Sequence, residues 1–240
     1  MKYLVNLSYN GSKYYGYQIQ KNKITVEGQI EKVLSKIFNS NINTHGTSRT
    51  DKGVHANNQY CVFEVDKDIN PKNLVHSMNS MLDDYIYIKK ITKINDDFNI
   101  RNVAKKEYIY KINMGEYNPI DVEYTLQYCK NIDRKLLDEF INKISGTHNF
   151  KSFTSDKDKT NYERTVLVDY KISNKILYLR FESTGFLRYM IRNIVGLLID
   201  INDGKKSITD IEKIFMYKNR TSLGVCASGC GLYLNKIEFK

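Results

Sequence analysis

The chain has 240 residues, of which 41% are hydrophobic and 12% aromatic, so it is long enough for one large domain or two small ones and is not intrinsically disordered. A formal net charge of +10 favours a polyanionic partner such as nucleic acid, although lysine is abundant throughout the chain. No run approaches about 18 consecutive apolar residues, and the amino terminus has no signal-peptide pattern. We therefore expect a soluble cytoplasmic protein without a membrane span.

Cysteine usage argues against metal and redox chemistry. The four cysteines are scattered at positions 61, 129, 226 and 230, and no Cys or His pairs have the spacing of a zinc site. Reduced thiols in a reducing compartment are expected. No glycine-rich nucleotide loop is present either, so we expect neither a metal nor an organic cofactor.

Hydrophobic periodicity predicts alternating strands and helices in the first half of the chain. In chain order, the predicted elements are a strand at 2–9, a helix at 26–38 capped by Thr25, a strand at 59–65, a short helix that begins at Asn70-Pro71, and strands at 85–94 and 106–113. Between the first helix and the second strand lies a polar stretch, residues 46–56, which is treated separately below.

The second half repeats this element order loosely. Its predicted elements are a strand at 123–128, a helix capped by Asp133, strands at 165–173 and 176–182, a long helix from about 184 to 202, a helix at 208–217 capped by Ser207, and a strand at 231–239. Residues 154–163 are polar and are expected to form a loop. We predict an α+β fold of two similar halves, 1–115 and 116–240, with mainly antiparallel sheets flanked by helices.

Residues 46–56 place an acid, two basic residues and a histidine in one loop. If residues 49–51 are extended, Arg49 and Asp51 share one face and Thr50 points to the other. The guanidinium group would then keep the carboxylate ionised. Such an aspartate can serve as a nucleophile, a base or a metal ligand. The alternative is a polar surface turn with a local Arg–Asp pair.

The run Arg-Thr-Asp-x-Gly-Val-His-Ala, which begins at Arg49, closely resembles the signature of the tRNA pseudouridine synthase A (TruA) family. Similar family motifs occur in the same order near residues 11–18, 98–110, 146–153, 185–196 and 231–234. Two departures stand out. Tyr17 occupies a position where the family usually has tryptophan, and the proline that the family has before Leu232 is absent.

The resemblance implies a pseudouridine synthase fold with a central active-site cleft, and it implies that Asp51 is the catalytic nucleophile. Tyr108 aligns with the active-site tyrosine, which would stack on an extruded uracil and accept a proton. Its alternative role is that of an ordinary strand aromatic on the same face as Tyr110. His148 is either catalytic or a hydrogen-bonded structural residue, and the second interpretation is preferred.

The resemblance implies the Arg192–Asp51 pair and the place of Leu232, whereas the roles of Arg188 and Arg49 follow from the needs of the reaction and of RNA binding. Arg192 would form an ion pair with Asp51, and Arg188, four residues earlier on the predicted helix, would face phosphate. Their alternative is a solvated helix face. Arg49 would orient the carboxylate together with Arg192, or fill the space left by the flipped nucleotide. Leu232 would wall the uracil pocket.

The implied activity is isomerisation of uridine to pseudouridine at positions 38 to 40 of the tRNA anticodon arm, by a homodimer that holds one tRNA across both subunits. Whether the aspartate attacks C1′ or the uracil ring, or supports a glycal-forming elimination, stays open. Two rival functions remain. One is a synthase of the same family acting on another RNA, such as ribosomal RNA, and the other is a basic RNA-binding protein whose catalysis has lapsed.

Overall fold

The computed structural model describes residues 1–156, 159–219 and 222–240. The chain divides into two compact units, Met1–Ala104 with Tyr233–Lys240, and Lys105–Leu232. This division falls before the strand that the sequence placed at the end of the first half, and the last strand belongs to the first unit. The predicted division into halves at residue 115 stays a prediction.

The first unit is built on an antiparallel set of strands. Its elements are β1 (Lys2–Tyr9), α1 (Val26–Phe38), β2 (Thr44–Gly46), β3 (His55–Glu64), α2 (Pro71–Asn79) and β4 (Ile86–Ile94), with the last strand of the chain, Leu232–Phe239, completing it. β1 lies between β4 and β3 and pairs antiparallel with both, and the last strand pairs with β3 in the parallel direction. Alternate residues of β1 are buried, which is the pattern of a strand with one face on the core.

The helices of the first unit begin where their capping residues predict. The Thr25 side chain accepts a hydrogen bond from the backbone nitrogen of Gly28, and α1 ends at Asn39 in the left-handed region. The Asn70 side chain caps α2 in the same way, with Pro71 at the first helical position. These predictions are confirmed.

The second unit also contains antiparallel strands and helices. Its elements are β5 (Val103–Asn113), β6 (Leu126–Gln127), α3 (Arg134–Ile144), β7 (Gly146–Asn149), β8 (Glu163–Ser173), β9 (Ile176–Ser183), α4 (Met190–Asn202) and α5 (Asp210–Tyr217). The last strand of the chain, Leu232–Phe239 of the first unit, is β10. The strand order is β5–β9–β8–β7, and these neighbours are antiparallel. The α+β class with mainly antiparallel strands flanked by helices is thus confirmed.

The predicted start of the longest helix is wrong. α4 begins at Met190, not near residue 184, because the backbone of Tyr189 is left-handed, with φ of 62°. Phe186 and Leu187 extended the apolar pattern without being helical: Leu187 is buried in the segment that leads into the helix. Arg188 consequently lies in the turn before α4 and not on its surface.

Two smaller predictions are also corrected. α5 has Thr209 at its N-cap position instead of Ser207, because the Ser207 backbone nitrogen donates to the carboxylate of Asp210 in a preceding turn. The strand predicted at 123–128 shrinks to β6, since the backbone nitrogens of Tyr124 and Thr125 donate to the Asp121 carbonyl in a turn.

Within the loop predicted at 154–163, residues 157 and 158 lie outside the described residues. Among the helices of the described residues, none combines the length and the apolar character that crossing a bilayer requires.

Candidate active site

The loop between β2 and β3, residues 47–54, is tied to β3 by side-chain and backbone hydrogen bonds. The backbone nitrogen of Thr47 donates to the carbonyl of Tyr60 over 2.9 Å. The amide of Gln59, a fully buried residue, donates to the carbonyl of Ser48 over 2.6 Å. The polar backbone of this loop therefore has fixed partners, which holds the loop in one conformation.

The buried residue Thr50 holds the centre of the loop in place through two hydrogen bonds. Its hydroxyl lies 2.7 Å from the hydroxyl of Tyr9, and both side chains are buried. Its carbonyl accepts a hydrogen bond from the backbone nitrogen of Tyr17 over 3.1 Å. On either side of this buried residue, Arg49 is exposed and Asp51 is partly exposed. Burial thus alternates along these three residues as the period-2 pattern predicts.

A tight turn follows Asp51. The backbone nitrogen of Val54 donates to the Asp51 carbonyl over 3.1 Å, and Gly53 takes a φ of 78°. A side chain at Gly53 would be strained in this left-handed conformation. The turn directs the chain into β3 immediately after the acid.

A second segment packs its backbone directly on the loop. Gly16 has a φ of 96°, and a Cβ atom built there would lie 2.7 Å from the carbonyl oxygen of Thr50 and 3.3 Å from the carbonyl carbon of Asp51. Only glycine satisfies both the positive φ and this close approach. Two motifs that are separated in the sequence are therefore in contact beside the aspartate.

The tyrosines around Gly16 differ in burial. Tyr14 and Tyr17 are buried and belong to the core, whereas Tyr15 is 41% exposed. Burial raises the pKa of Tyr17 well above its usual value. Packing is thus the role of Tyr14 and Tyr17, and Tyr15 presents its ring to solvent.

His55, which ends the signature motif with Ala56, is held as a structural residue. Its Nδ1 accepts a hydrogen bond from the backbone nitrogen of Gly11 over 3.1 Å. Its ring stacks on that of Tyr233 with 4.6 Å between centroids, and the residue is 2% exposed. These contacts fix the start of β3, where the loop ends.

In the second unit, Tyr108 lies on the inner face of β5. It is buried, and its ring meets the ring of Phe186 edge to face, with 5.2 Å between centroids. Tyr110 shares this face, as period-2 alternation requires, and its hydroxyl donates to the carbonyl of Ser228 over 2.6 Å. Burial raises the pKa of Tyr110 well above its usual value.

Arg192 is oriented by the segment that precedes β10. Its Nε donates to the carbonyl of Ala227 over 2.7 Å, and the Ala227 backbone nitrogen donates back to the Arg192 carbonyl over 3.1 Å. The guanidinium carbon lies 5.1 Å from the centroid of the Tyr189 ring. With one donor used in this way, the rest of the guanidinium group is held in a defined direction.

Arg188 approaches the same tyrosine from the turn before α4. Its guanidinium carbon lies 4.9 Å from the ring centroid of Tyr189, and one of its nitrogens donates to the Tyr189 hydroxyl over 3.1 Å. Arg188 is exposed. The two arginines therefore flank one ring, but only Arg192 is on the helix, whereas the sequence predicted both on one helix.

Leu232 is buried at the start of β10. It follows a short 3-10 helix, Gly229–Gly231, whose N-cap side chain belongs to Ser228. The Ser228 hydroxyl oxygen accepts a hydrogen bond from the backbone nitrogen of Cys230 over 3.4 Å in this turn. The pocket role of Leu232 stays a prediction.

The six predicted site residues lie in two groups. Arg49 and Asp51 are on one loop of the first unit, and the second unit contributes Tyr108, Arg188, Arg192 and Leu232. The Arg192–Asp51 ion pair and the catalytic roles stay predictions. Sequence reasoning missed Tyr9, Gly16 and Tyr189. The alternation of residues along β1 places Tyr9 on its buried face, so its burial could have been predicted. Nothing in the sequence indicated the left-handed backbone of Tyr189.

The remaining sequence candidates add no further chemistry. His148 stacks on Phe215 with 4.5 Å between ring centroids, and its Nε2 lies 3.1 Å from the Ser145 carbonyl, which favours the structural interpretation. Within residues 1–156, 159–219 and 222–240, no group of three or more His, Cys, Asp or Glu side chains is arranged to hold a metal ion.

Comparison with known proteins identifies the family. The chain matches the family model described as tRNA pseudouridine synthase over residues 7–101 and 140–240. It is 37% identical to tRNA pseudouridine synthase A of Malacoplasma penetrans over 237 residues, covering 98% of each chain. Identity is 37% to the protein of the same name from Borrelia turicatae, covering 100% of this chain and 99% of the relative, and 33% to that from Staphylococcus carnosus, covering 99% and 90%. The chain belongs to the tRNA pseudouridine synthase family.

Proposed function

We propose that this chain isomerises uridine to pseudouridine in tRNA, at positions 38, 39 and 40 of the anticodon arm, with Asp51 as the nucleophile. The observation that carries the proposal is the geometry of one loop. Thr50 is buried and bonded on two sides, so its neighbours Arg49 and Asp51 keep their side chains toward the accessible side of the loop. The family membership of the chain supports the same assignment.

The reaction needs one carboxylate and no redox partner. The bond between C1′ of the ribose and N1 of uracil breaks, the base turns, and C1′ joins C5; the proton on C5 is lost and N1 gains a proton. Aspartate has a reference pKa of about 3.9 and is ionised near neutral pH, so it is ready to attack without a separate base. The same residue serves whether it engages C1′, engages the uracil ring or assists an elimination.

The other site residues follow from what the reaction requires. Arg192 would keep the Asp51 carboxylate ionised and oriented, because an opposite charge within hydrogen-bonding reach favours the charged form. Tyr108 would stack on the detached base and accept the C5 proton. Arg49, exposed beside the aspartate, would fill the gap that the everted nucleotide leaves, which offsets part of the cost of extrusion.

The contacts around the base and the RNA backbone complete the assignment. Leu232 would form an apolar wall of the uracil pocket, and the exposed Arg188 would contact phosphate. The active form would be a homodimer in the cytoplasm that binds one tRNA across both subunits. The net charge of +10 is consistent with such a polyanionic partner.

Tritium release tests the activity. The purified protein is incubated with tRNA transcripts that carry tritium at C5 of uridine, and the sites are mapped afterwards by chemical modification and primer extension. We expect release only from transcripts with uridine at positions 38 to 40. Release from a ribosomal RNA fragment instead would select the related-substrate alternative, and binding without release from any RNA would select the binding-protein alternative.

Arg192 offers a second test of the site. Lysine at this position keeps the charge but loses the planar group that bonds Ala227, so Arg192→Lys should lower kcat by about 10-fold or more. Arg188→Lys is the matched control, since an exposed phosphate contact tolerates this exchange better. Equal kcat for both variants and the wild type would contradict the role given to Arg192.

A further inference from the structure

The segment from Tyr15 to Ile24 contains Gly16, which packs on the catalytic loop, and leads to helix α1. It is exposed except at Gly16 and Tyr17, and hydrogen bonds fix its backbone. The backbone nitrogen of Tyr15 donates to the Ile24 carbonyl over 2.9 Å, and the side chain of Gln20 donates to the Tyr15 carbonyl over 2.6 Å. Lys23 in turn donates its backbone nitrogen to the Gln20 carbonyl over 3.2 Å. A surface segment with this many internal bonds presents its side chains in a defined arrangement.

Two lysines meet on the ring of Tyr15. The ammonium nitrogen of Lys23 lies 4.4 Å from the ring centroid and that of Lys52 lies 4.5 Å from it. Both distances are within the range of cation–π attraction. Tyr15 is 41% exposed, and Lys23 and Lys52 are exposed too, so their ammonium groups are accessible to a ligand. We call this arrangement the Tyr15 cluster.

The Tyr15 cluster concentrates positive charge on one exposed ring. Two ammonium groups held on one ring are within about 9 Å of each other, which is less than the screening length at 0.1 M salt. Among the salt bridges of residues 1–156, 159–219 and 222–240, none includes Lys23 or Lys52. An anion that contacts both ammonium groups past the edge of the ring would relieve their repulsion.

The cluster adjoins the proposed nucleophile. Lys52 directly follows Asp51, and Gly16, the neighbour of Tyr15, approaches the Thr50 carbonyl so closely that a Cβ atom there would lie 2.7 Å from it. Because Lys52 and Asp51 are consecutive residues, their Cα atoms are only about 3.8 Å apart. Neighbouring nucleotides of one RNA strand can therefore contact the Tyr15 cluster and the aspartate at the same time.

We propose that Lys23 and Lys52, held in place by the ring of Tyr15, together bind one backbone phosphate of the RNA, one or two nucleotides from the uridine on which Asp51 acts. This proposal rests on the proposed function and adds a subsite to it. The phosphate would position the strand at the loop without reading its sequence.

Salt-dependent binding of tRNA tests the subsite. The Kd of the wild type, Lys23→Gln, Lys52→Gln and the double variant is measured at several salt concentrations. Each single change should weaken binding about 3- to 10-fold near 0.1 M salt. Because the two lysines share one phosphate, the double variant should flatten the slope of log Kd against log salt by about 0.7–0.9 in total, the loss of one contact. A decrease in the slope twice as large would mean that each lysine contacts its own phosphate, and it would overturn the proposal of one shared phosphate.

Substitutions of the ring and of distant lysines supply the controls. Tyr15→Phe keeps the cation–π face and should bind within about 2-fold of the wild type, whereas Tyr15→Leu should bind about 2- to 5-fold more weakly. Lys32→Gln and Lys36→Gln remove exposed charges from α1 and should leave the slope unchanged. Equal effects of these α1 variants and the cluster variants would overturn the proposal.

Pseudouridine formation by the wild type, measured on the same tRNA, separates this proposal from the one on which it rests. If the wild type is active and the cluster variants bind like the α1 controls, the subsite is wrong and the proposed function stands. If the wild type modifies no RNA, the proposed function fails, and the salt slopes alone then decide whether the two lysines share a phosphate.

Discussion

The hydroxyl groups of Tyr9 and Thr50 lie 2.7 Å apart in the interior of the first unit. This bond joins the last residue of β1 to the residue immediately before Asp51. Because this buried hydrogen bond holds Thr50 in place, the backbone at Asp51 is rigid and its carboxylate is held in a defined position.

Removing the Tyr9 hydroxyl should loosen the catalytic loop. In Tyr9→Phe the Thr50 hydroxyl loses this buried partner, so the free energy of unfolding should fall by about 1–2 kcal/mol. The aspartate should be less well positioned, and kcat should fall by about 3- to 10-fold. Urea unfolding and steady-state tritium release measure the two effects.

Tyr3→Phe is the matched control for this substitution. Tyr3 is fully buried in the same strand, and its hydroxyl donates to Asp68 over 2.7 Å, away from the loop. The Tyr3→Phe variant should also be less stable than the wild type, but its kcat should be unchanged. If both variants lose kcat in proportion to their stability, the positioning role of Tyr9 is refuted.

Two glycines with positive φ allow the stability cost of a left-handed backbone to be measured apart from the cost of a steric clash. Gly204 has a φ of 71°, and a Cβ atom placed there would have no described neighbour within 4 Å, whereas Gly16 has a φ of 96° and the Thr50 carbonyl at 2.7 Å. Gly204→Ala should cost about 1 kcal/mol of stability from the left-handed backbone alone. Gly16→Ala should cost about 2–4 kcal/mol, because the methyl group also displaces the catalytic loop. Equal unfolding free energies for the two variants would argue against the close approach.

Lys106 should make stability rise at alkaline pH. Burial lowers its pKa from 10.5 to about 8, so the charged form is disfavoured in the folded protein. Below about pH 8 Lys106 is protonated in both the folded and the unfolded chain, so the full cost of burying its charge lowers the stability. Between about pH 8 and 10.5 only the unfolded chain keeps the proton, so stability increases with pH.

The substitution Lys106→Met isolates this contribution. At neutral pH it should raise the free energy of unfolding by about 1–2 kcal/mol, a value reduced from the full shift because the side chain is partly exposed. The difference between wild type and variant should shrink as the pH rises toward 10.5. Urea titrations across this range measure it, and a constant difference would contradict the assignment.

Two cysteines should differ sharply in reactivity. Cys61 is fully buried and burial raises its pKa to about 12, whereas Cys129 is exposed. Because the thiolate is the reactive form, iodoacetamide at about pH 8 should modify Cys129 rapidly and spare Cys61 until urea unfolds the chain. Peptide mass spectrometry follows each site, and equal rates in the native protein would show that Cys61 is not enclosed.

Local signals predicted most of the fold. Thr25 and Asp133 identified the starts of α1 and α3 because each side chain satisfies backbone donors within three residues of itself. The alternation along β1 identified its buried face. The start of α4 could not be predicted in this way, since the apolar spacing continues through Leu187 while the left-handed Tyr189 interrupts the helix.

The candidate site was predicted only in part, for the same physical reason. The alternation of Arg49, Thr50 and Asp51 is a local property, and the structure has it. The contacts that Tyr9 and Gly16 make with the loop come from residues that are distant in sequence. Such long-range packing has no period or motif, so it had to be seen in three dimensions.

The most direct test of the central claim is the Asp51→Asn variant, assayed for tRNA binding and for pseudouridine formation in a single turnover with enzyme in excess. Asparagine keeps the shape of the side chain but removes its negative charge. The account predicts a Kd within about 3-fold of the wild type and a rate reduced by at least about 10⁴-fold. Pseudouridine formed at a rate near that of the wild type would contradict it.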